Sequence, residues 1–121
     1  GLPIVPPTPE RAEAMLAGIE AEPDTVVGKI PPLWGEATVE KIAINAVMAG
    51  CPPAAMPVLV AALEAMLDPA FNLYGVQATT HPVAPLLIYT GRLGMEVAEP
   101  ISRFRPHPAF PVAFSLRLSG N

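Results

Sequence analysis

The clearest pattern in the chain is a run of apolar residues at helical spacing between Thr38 and Ala49. At about 100° per residue, these residues form one broad apolar face and a second, smaller one. The broad face contains Val39, Ile42, Ala43, Ala46 and Val47, and the smaller face contains Ile44 and Met48. A narrow polar strip of Thr38, Lys41 and Asn45 separates the faces, and Glu40 lies on the other border. Two apolar faces require packing on two sides, so the pattern predicts a central helix that ends at Gly50.

Two other segments also have a helical pattern. The first is predicted to begin after Thr8, an N-cap residue followed by proline, and to end near Glu22. The second is predicted to begin near residue 53 or 57 and to end at residue 67, with Glu64 as its only charged residue. Because this segment is almost wholly apolar, we expect it to be buried or shared with a partner chain.

The predicted strands are short. Val26 and Val27 indicate a short strand or an extended connection, and residues 74–79 have an extended pattern. Residues 85–90 form the strongest strand pattern because they are apolar, aromatic and β-branched. Residues 110–118 alternate loosely and suggest a final strand, at an edge because of Pro111.

This order of elements is not a regular alternation of strands and helices. It favours an α+β fold in which helices pack on a small mixed or antiparallel sheet. A length of 121 residues indicates a single domain over 1–121. Residues 1–7 are predicted to form an extended lead-in arm, and residues 92–121 a C-terminal extension.

The segment 30–35 contains two consecutive prolines and is predicted to be a loop. It carries Trp34, the only tryptophan in the chain. We expect Trp34 to fill a core or interface position, and stacking against a ligand is the alternative.

Composition limits the classes of partner. The net charge of −4 argues against a nucleic-acid surface, which requires a basic stripe. No run of about 18 apolar residues is present, so we expect no membrane-spanning segment. A single cysteine is compatible with a reducing cytoplasm, and we expect a cytoplasmic protein. The apolar fraction of 51% is large for one small domain, which favours a homo-oligomer or a partner subunit.

Two polar groups are candidates for a site. Glu40, Lys41 and Asn45 could line a pocket beside the apolar faces of the central helix. The alternative is a solvated entry turn, where Glu36 and Glu40 lie four residues apart and Glu40 or Lys41 pairs with a second subunit. The second group, Gln77, Thr79, Thr80 and His81, follows the extended segment. His81 could act as a general base, and the alternative is a hydrogen-bonded turn.

Cys51 and a metal site are two further candidates. A catalytic thiol requires a helix N-terminus or a cation nearby, whereas Cys51 follows a helix C-terminus. A small buried apolar group is therefore one interpretation of Cys51, and a reactive or ligand-contacting thiol is the other. With two histidines and one cysteine, we expect no metal site, and the pattern identifies no cofactor.

Four stretches carry a resemblance to a known family. They are residues 35–51, 67–73 and 75–82, with a weaker similarity over residues 2–8. Together they resemble a region of the UGSC-type (seleno)protein family, bacterial proteins largely of unassigned function. That family's motif places selenocysteine or cysteine before Gly-Ser-Cys. This chain has no Gly-Ser-Cys, so the resemblance does not carry over redox chemistry by that motif.

Two functions follow as hypotheses. The resemblance implies a small subunit or domain of a bacterial enzyme, with redox or carbon–heteroatom lyase chemistry. Its pocket would lie between residues 77–81 and the helix 38–49. There His81, Glu40 and Cys51 would serve catalysis, and Lys41, Asn45, Gln77, Thr79 and Thr80 would contact a small-molecule substrate. The alternative is a non-catalytic oligomeric assembly or binding module.

Overall fold

The fold is organised around a helix that follows directly from a strand. A computed structural model describes residues 3–83 and 85. In chain order the elements are α1 (Pro9–Leu16), β1 (Val26–Ile30), β2 (Gly35–Thr38), α2 (Val39–Ala49), α3 (Met56–Leu67) and α4 (Leu73–Gln77). Single 3₁₀ turns at Pro53–Ala55 and Pro69–Phe71 precede α3 and α4. The described residues therefore contain four helices and one two-stranded antiparallel sheet, which confirms the α+β class.

Helix α2 occupies the centre because its predicted broad face is buried. Its buried residues are Val39, Ile42, Ala43, Ala46 and Val47. They pack in one core with residues from every other helix and from both strands, namely Met15, Ile30, Ala37, Met56, Leu63 and Leu73. The smaller face, Ile44 and Met48, is half-buried. The sequence pattern thus predicted both the helix and its main buried face.

Both ends of α2 are satisfied locally. The hydroxyl of Thr38 accepts a hydrogen bond from the backbone N–H of Lys41, as an N-cap does. The first two N–H groups of the helix donate to carbonyls outside it: that of Val39 to Thr25 at 3.0 Å, and that of Glu40 to Pro23 at 2.9 Å. At the other end Gly50 has a φ of 80°, a left-handed conformation that glycine adopts without steric cost.

The sheet consists of β1 and β2 alone among the described residues. Lys29 lies opposite Glu36, and Ile30 lies opposite Gly35. The expectation that Glu36 belongs to the entry turn of α2 was wrong, because β2 runs to Thr38 and the helix begins at Val39. Gly28 lets α3 approach β1, since a Cβ at Gly28 would overlap the side chain of Leu67.

Two other predictions require correction. Helix α1 ends at Leu16 instead of near Glu22, because the chain turns at Ala17 and Gly18. Gly18 lies so close to Pro53 that a Cβ at Gly18 would overlap the carbonyl oxygen of Pro53. The extended segment predicted over residues 74–79 was also wrong, because Leu73–Gln77 forms α4. Asn72 begins that helix: its side-chain oxygen accepts a hydrogen bond from the N–H of Gly75, and this local capping outweighs the strand preference of Tyr74 and Val76.

Helix α3 is less buried than its composition suggested. Met56 and Leu63 are fully buried, whereas Val58, Leu59 and Val60 are half-buried. Whether a partner shares this helix stays a prediction.

In the lead-in arm, the N–H of Val5 donates to the carbonyl of Met48 at 3.1 Å. The strand predicted at residues 85–90, apart from Pro85 itself, lies outside the described residues, as do the strand predicted at 110–118 and the extension 92–121.

Candidate functional site

The polar strip of α2 is bonded to nearby backbone. The ammonium of Lys41 donates to the carbonyl of Glu36 at 3.0 Å, and the amide of Asn45 donates to the carbonyl of Lys41 at 2.8 Å. Glu40 is exposed, and Asn45 is half-buried. Both donors therefore have partners within five residues, so the strip forms a set of local bonds at the start of α2.

The second polar group lies beside the turn between β1 and β2. The side-chain amide of Gln77 donates to the carbonyl of Pro31 at 2.8 Å, across 46 residues of sequence. The hydroxyl of Thr79 accepts from the N–H of His81 at 3.1 Å, which forms a local turn. Thr80 and His81 are exposed. Within residues 3–83, no side-chain hydrogen bond joins residues 77–81 to the polar strip, so the pocket between them stays a prediction.

Cys51 is half-buried and packs against the core after the end of α2. Burial raises the pKa of its thiol, because the thiolate is poorly solvated there. A raised pKa lowers the thiolate fraction at neutral pH and so reduces nucleophilicity. This environment favours the interpretation of Cys51 as a packing residue over a catalytic one. In the described part of the chain, no three His, Cys, Asp or Glu side chains are close enough together to hold a metal ion.

The folded chain also carries a pair of exposed aromatic rings. The rings of Trp34 and Tyr74 lie nearly parallel, with their centroids 6.3 Å apart and their planes inclined by 16°. Both side chains are exposed, Trp34 by 56% and Tyr74 by 51%. Leu33, which precedes Trp34, is 78% exposed, and Phe71, in the turn before α4, is 40% exposed. We call Leu33, Trp34, Phe71 and Tyr74 the aromatic patch.

The aromatic patch is supported by backbone that is held in place. Trp34 has a φ of 58° and Asn72 a φ of 54°, the two positive values among the non-glycine residues described. Asparagine tolerates this conformation, whereas tryptophan adopts it at a cost that surrounding structure must offset. The hydrogen bond from Gln77 to Pro31 fixes α4 to the turn that carries Trp34. The two rings are thus positioned before any partner binds.

The aromatic patch contains no charged residue. The nearest charges along the hairpin are Lys29 and Glu36, which lie opposite each other on β1 and β2. Charged residues are depleted at the centre of protein–protein contact surfaces, and aromatic residues are enriched there.

Among residues 3–83 and 85, no single helix is long and apolar enough to cross a bilayer. Only Pro53–Leu67 taken together with Pro69–Gln77, a pair bent by 71°, meets the criteria of length and composition.

The core position expected for Trp34 is wrong, because its side chain is 56% exposed, and an interface position stays a prediction. The sequence pattern predicts an extended segment at Tyr74 and gives no sign that the two rings pair. The pairing depends on how α4 docks against the hairpin turn, and that docking joins residues some forty positions apart. No protein-family model, curated protein or solved structure matches this chain.

Proposed function

We propose that the chain is a non-catalytic assembly module in which two copies associate through the aromatic patch. The observation that carries the proposal is the exposed, nearly parallel pair of Trp34 and Tyr74. Large aromatic side chains are usually at least partly removed from water, and tryptophan and tyrosine are enriched where protein surfaces bind each other. A second copy would bury rings that the described residues leave in contact with water.

The polar candidates give less support to an enzyme. The Lys41 and Asn45 side chains are bonded to nearby carbonyls, and Gln77 is bonded to the hairpin turn. The thiol of Cys51 has a raised pKa, which opposes its use as a nucleophile. Redox or lyase chemistry rests on the family resemblance, and it stays a prediction along with the bacterial and cytoplasmic assignments.

Rigidity also supports association. Binding costs free energy when side chains and loops must be ordered at the interface. The Gln77–Pro31 hydrogen bond and the stacking of the two rings reduce that cost, because the turn and α4 are already joined. A preorganised aromatic surface is the kind that concentrates binding energy in a few residues.

Sedimentation velocity over a wide range of protein concentration tests the proposal. We expect a monomer–dimer equilibrium in the full chain. Trp34→Ala and Tyr74→Ala should each raise the dissociation constant by about 30-fold, which corresponds to roughly 2 kcal/mol for a central aromatic residue. Ile4→Ala is the matched control, because Ile4 is a large apolar residue exposed by 46% outside the aromatic patch.

Two results would overturn the proposal. One is a wild-type chain that remains monomeric at every concentration tested. The other is an association that Ile4→Ala weakens as much as Trp34→Ala does. Far-ultraviolet circular dichroism of each variant separates loss of association from loss of folding.

A further inference from the structure

The charges of the chain are divided unevenly along its length. Residues 1–85 carry three basic and nine acidic side chains, whereas residues 86–121 carry four basic and two acidic ones. Two copies of the acidic part repel each other, and the basic part of one copy is attracted to the acidic part of another. Charge complementarity therefore favours contact between residues 86–121 of one copy and residues 1–85 of its partner.

Within the C-terminal part, one segment has the chemistry that suits the aromatic patch. Arg103–Pro108 reads Arg-Phe-Arg-Pro-His-Pro. Guanidinium groups stack on the faces of tryptophan and tyrosine, and proline-containing segments bind surfaces lined by aromatic rings. Glu36, two residues after Trp34 in the chain, is exposed and carries a negative charge. Two of the four basic residues beyond Pro85 fall in this short segment.

We propose that the segment Arg103–Pro108 of one copy binds the aromatic patch of a second copy. This inference rests on the proposed assembly function and specifies which part of the second copy occupies the rings. Seventeen residues separate Pro85 from Arg103. Such a length can span up to roughly 60 Å, which is enough to reach a second copy. A reciprocal exchange of segments gives a closed dimer with two equivalent contacts.

The test uses full-length variants with matched charge. The double variant Arg103→Gln/Arg105→Gln removes both arginines from the segment. Arg92→Gln/Arg117→Gln removes the same number of charges from the same part of the chain and serves as the control. We expect the first double variant to weaken dimerisation at least tenfold and the control to change it much less than that.

Fluorescence of Trp34 provides a second measurement, because it is the only tryptophan in the chain. In the dimer, Trp34 should be shielded from acrylamide, and Arg103→Gln/Arg105→Gln should restore quenching. A synthetic peptide of residues 100–111 should compete with dimerisation of the wild-type chain, which tests the contact without any substitution. The peptide competition remains informative even if a variant folds poorly.

Each remaining outcome is decisive. Equal weakening by both double variants would show a general charge effect and overturn the inference. Dimerisation that Trp34→Ala weakens, but that neither Arg103→Gln/Arg105→Gln nor the peptide affects, would leave the assembly function standing and remove the segment from it. A monomer in which the segment shields Trp34 at every concentration would show a contact within one chain and overturn both proposals.

Discussion

Replacing Gln77 by leucine tests whether α4 is fixed to the hairpin turn as described. The amide of Gln77 donates to the carbonyl of Pro31, a residue that is itself buried. Leucine fills similar space but cannot donate, so the carbonyl loses its partner. Leaving a buried acceptor unsatisfied costs about 1–3 kcal/mol, which reduces the ratio of folded to unfolded molecules by roughly 5- to 150-fold.

Urea denaturation followed by circular dichroism measures this loss. With a slope of about 1–3 kcal/mol per molar urea, the midpoint should fall by roughly 0.3–3 M while the slope is unchanged. Asn45→Leu is the matched control, because Asn45 also donates its side-chain amide to a backbone carbonyl at 2.8 Å. That bond is local and exposed, so its loss should cost less than about 0.5 kcal/mol. Equal losses in the two variants would refute the special role given to Gln77.

Four further predictions concern the fold and Cys51. Thr38→Ala removes the cap that accepts from the N–H of Lys41 and should lower the free energy of unfolding by about 1 kcal/mol in urea titration. Gly18→Ala should cost about 1–3 kcal/mol in the same assay, because the new Cβ would meet backbone at Pro53, whereas at Gly28 it would meet a side chain that can rotate. Because burial raises the pKa of the Cys51 thiol, iodoacetamide at pH 8 should alkylate it more slowly than a free cysteine peptide. Because the Cys51 thiol ionises less readily in the folded state than in the unfolded chain, the free energy of unfolding should fall as the pH rises above about 8.5. Cys51→Ala should lessen that fall.

Local signals explain what the sequence predicted correctly. Helix α2 could be bounded to within a residue because Thr38 caps its start and Gly50 ends it, and both effects act over one turn. Its buried face followed from apolar spacing alone. The α+β class followed from the order of helical and extended segments.

Non-local contacts explain what the sequence missed. The end of α1 depends on a close approach between Gly18 and Pro53, and α4 depends on the left-handed conformation of Asn72. Gln77 was expected to bind a substrate, whereas its amide is bonded to a turn 46 residues earlier. Neither spacing nor composition encodes such pairings, so the aromatic patch becomes visible only in the folded chain.

If the exposed rings of Trp34 and Tyr74 form the contact between copies, the environment of Trp34 must change when the copies separate. Dilution of the full chain, followed by the emission of its single tryptophan, measures that change. We expect emission at short wavelength in concentrated solution and a shift to longer wavelength on dilution, with the same midpoint as the sedimentation transition. Association that leaves the emission of Trp34 unchanged would rule out the aromatic patch as the contact, because the copies would then meet through another surface.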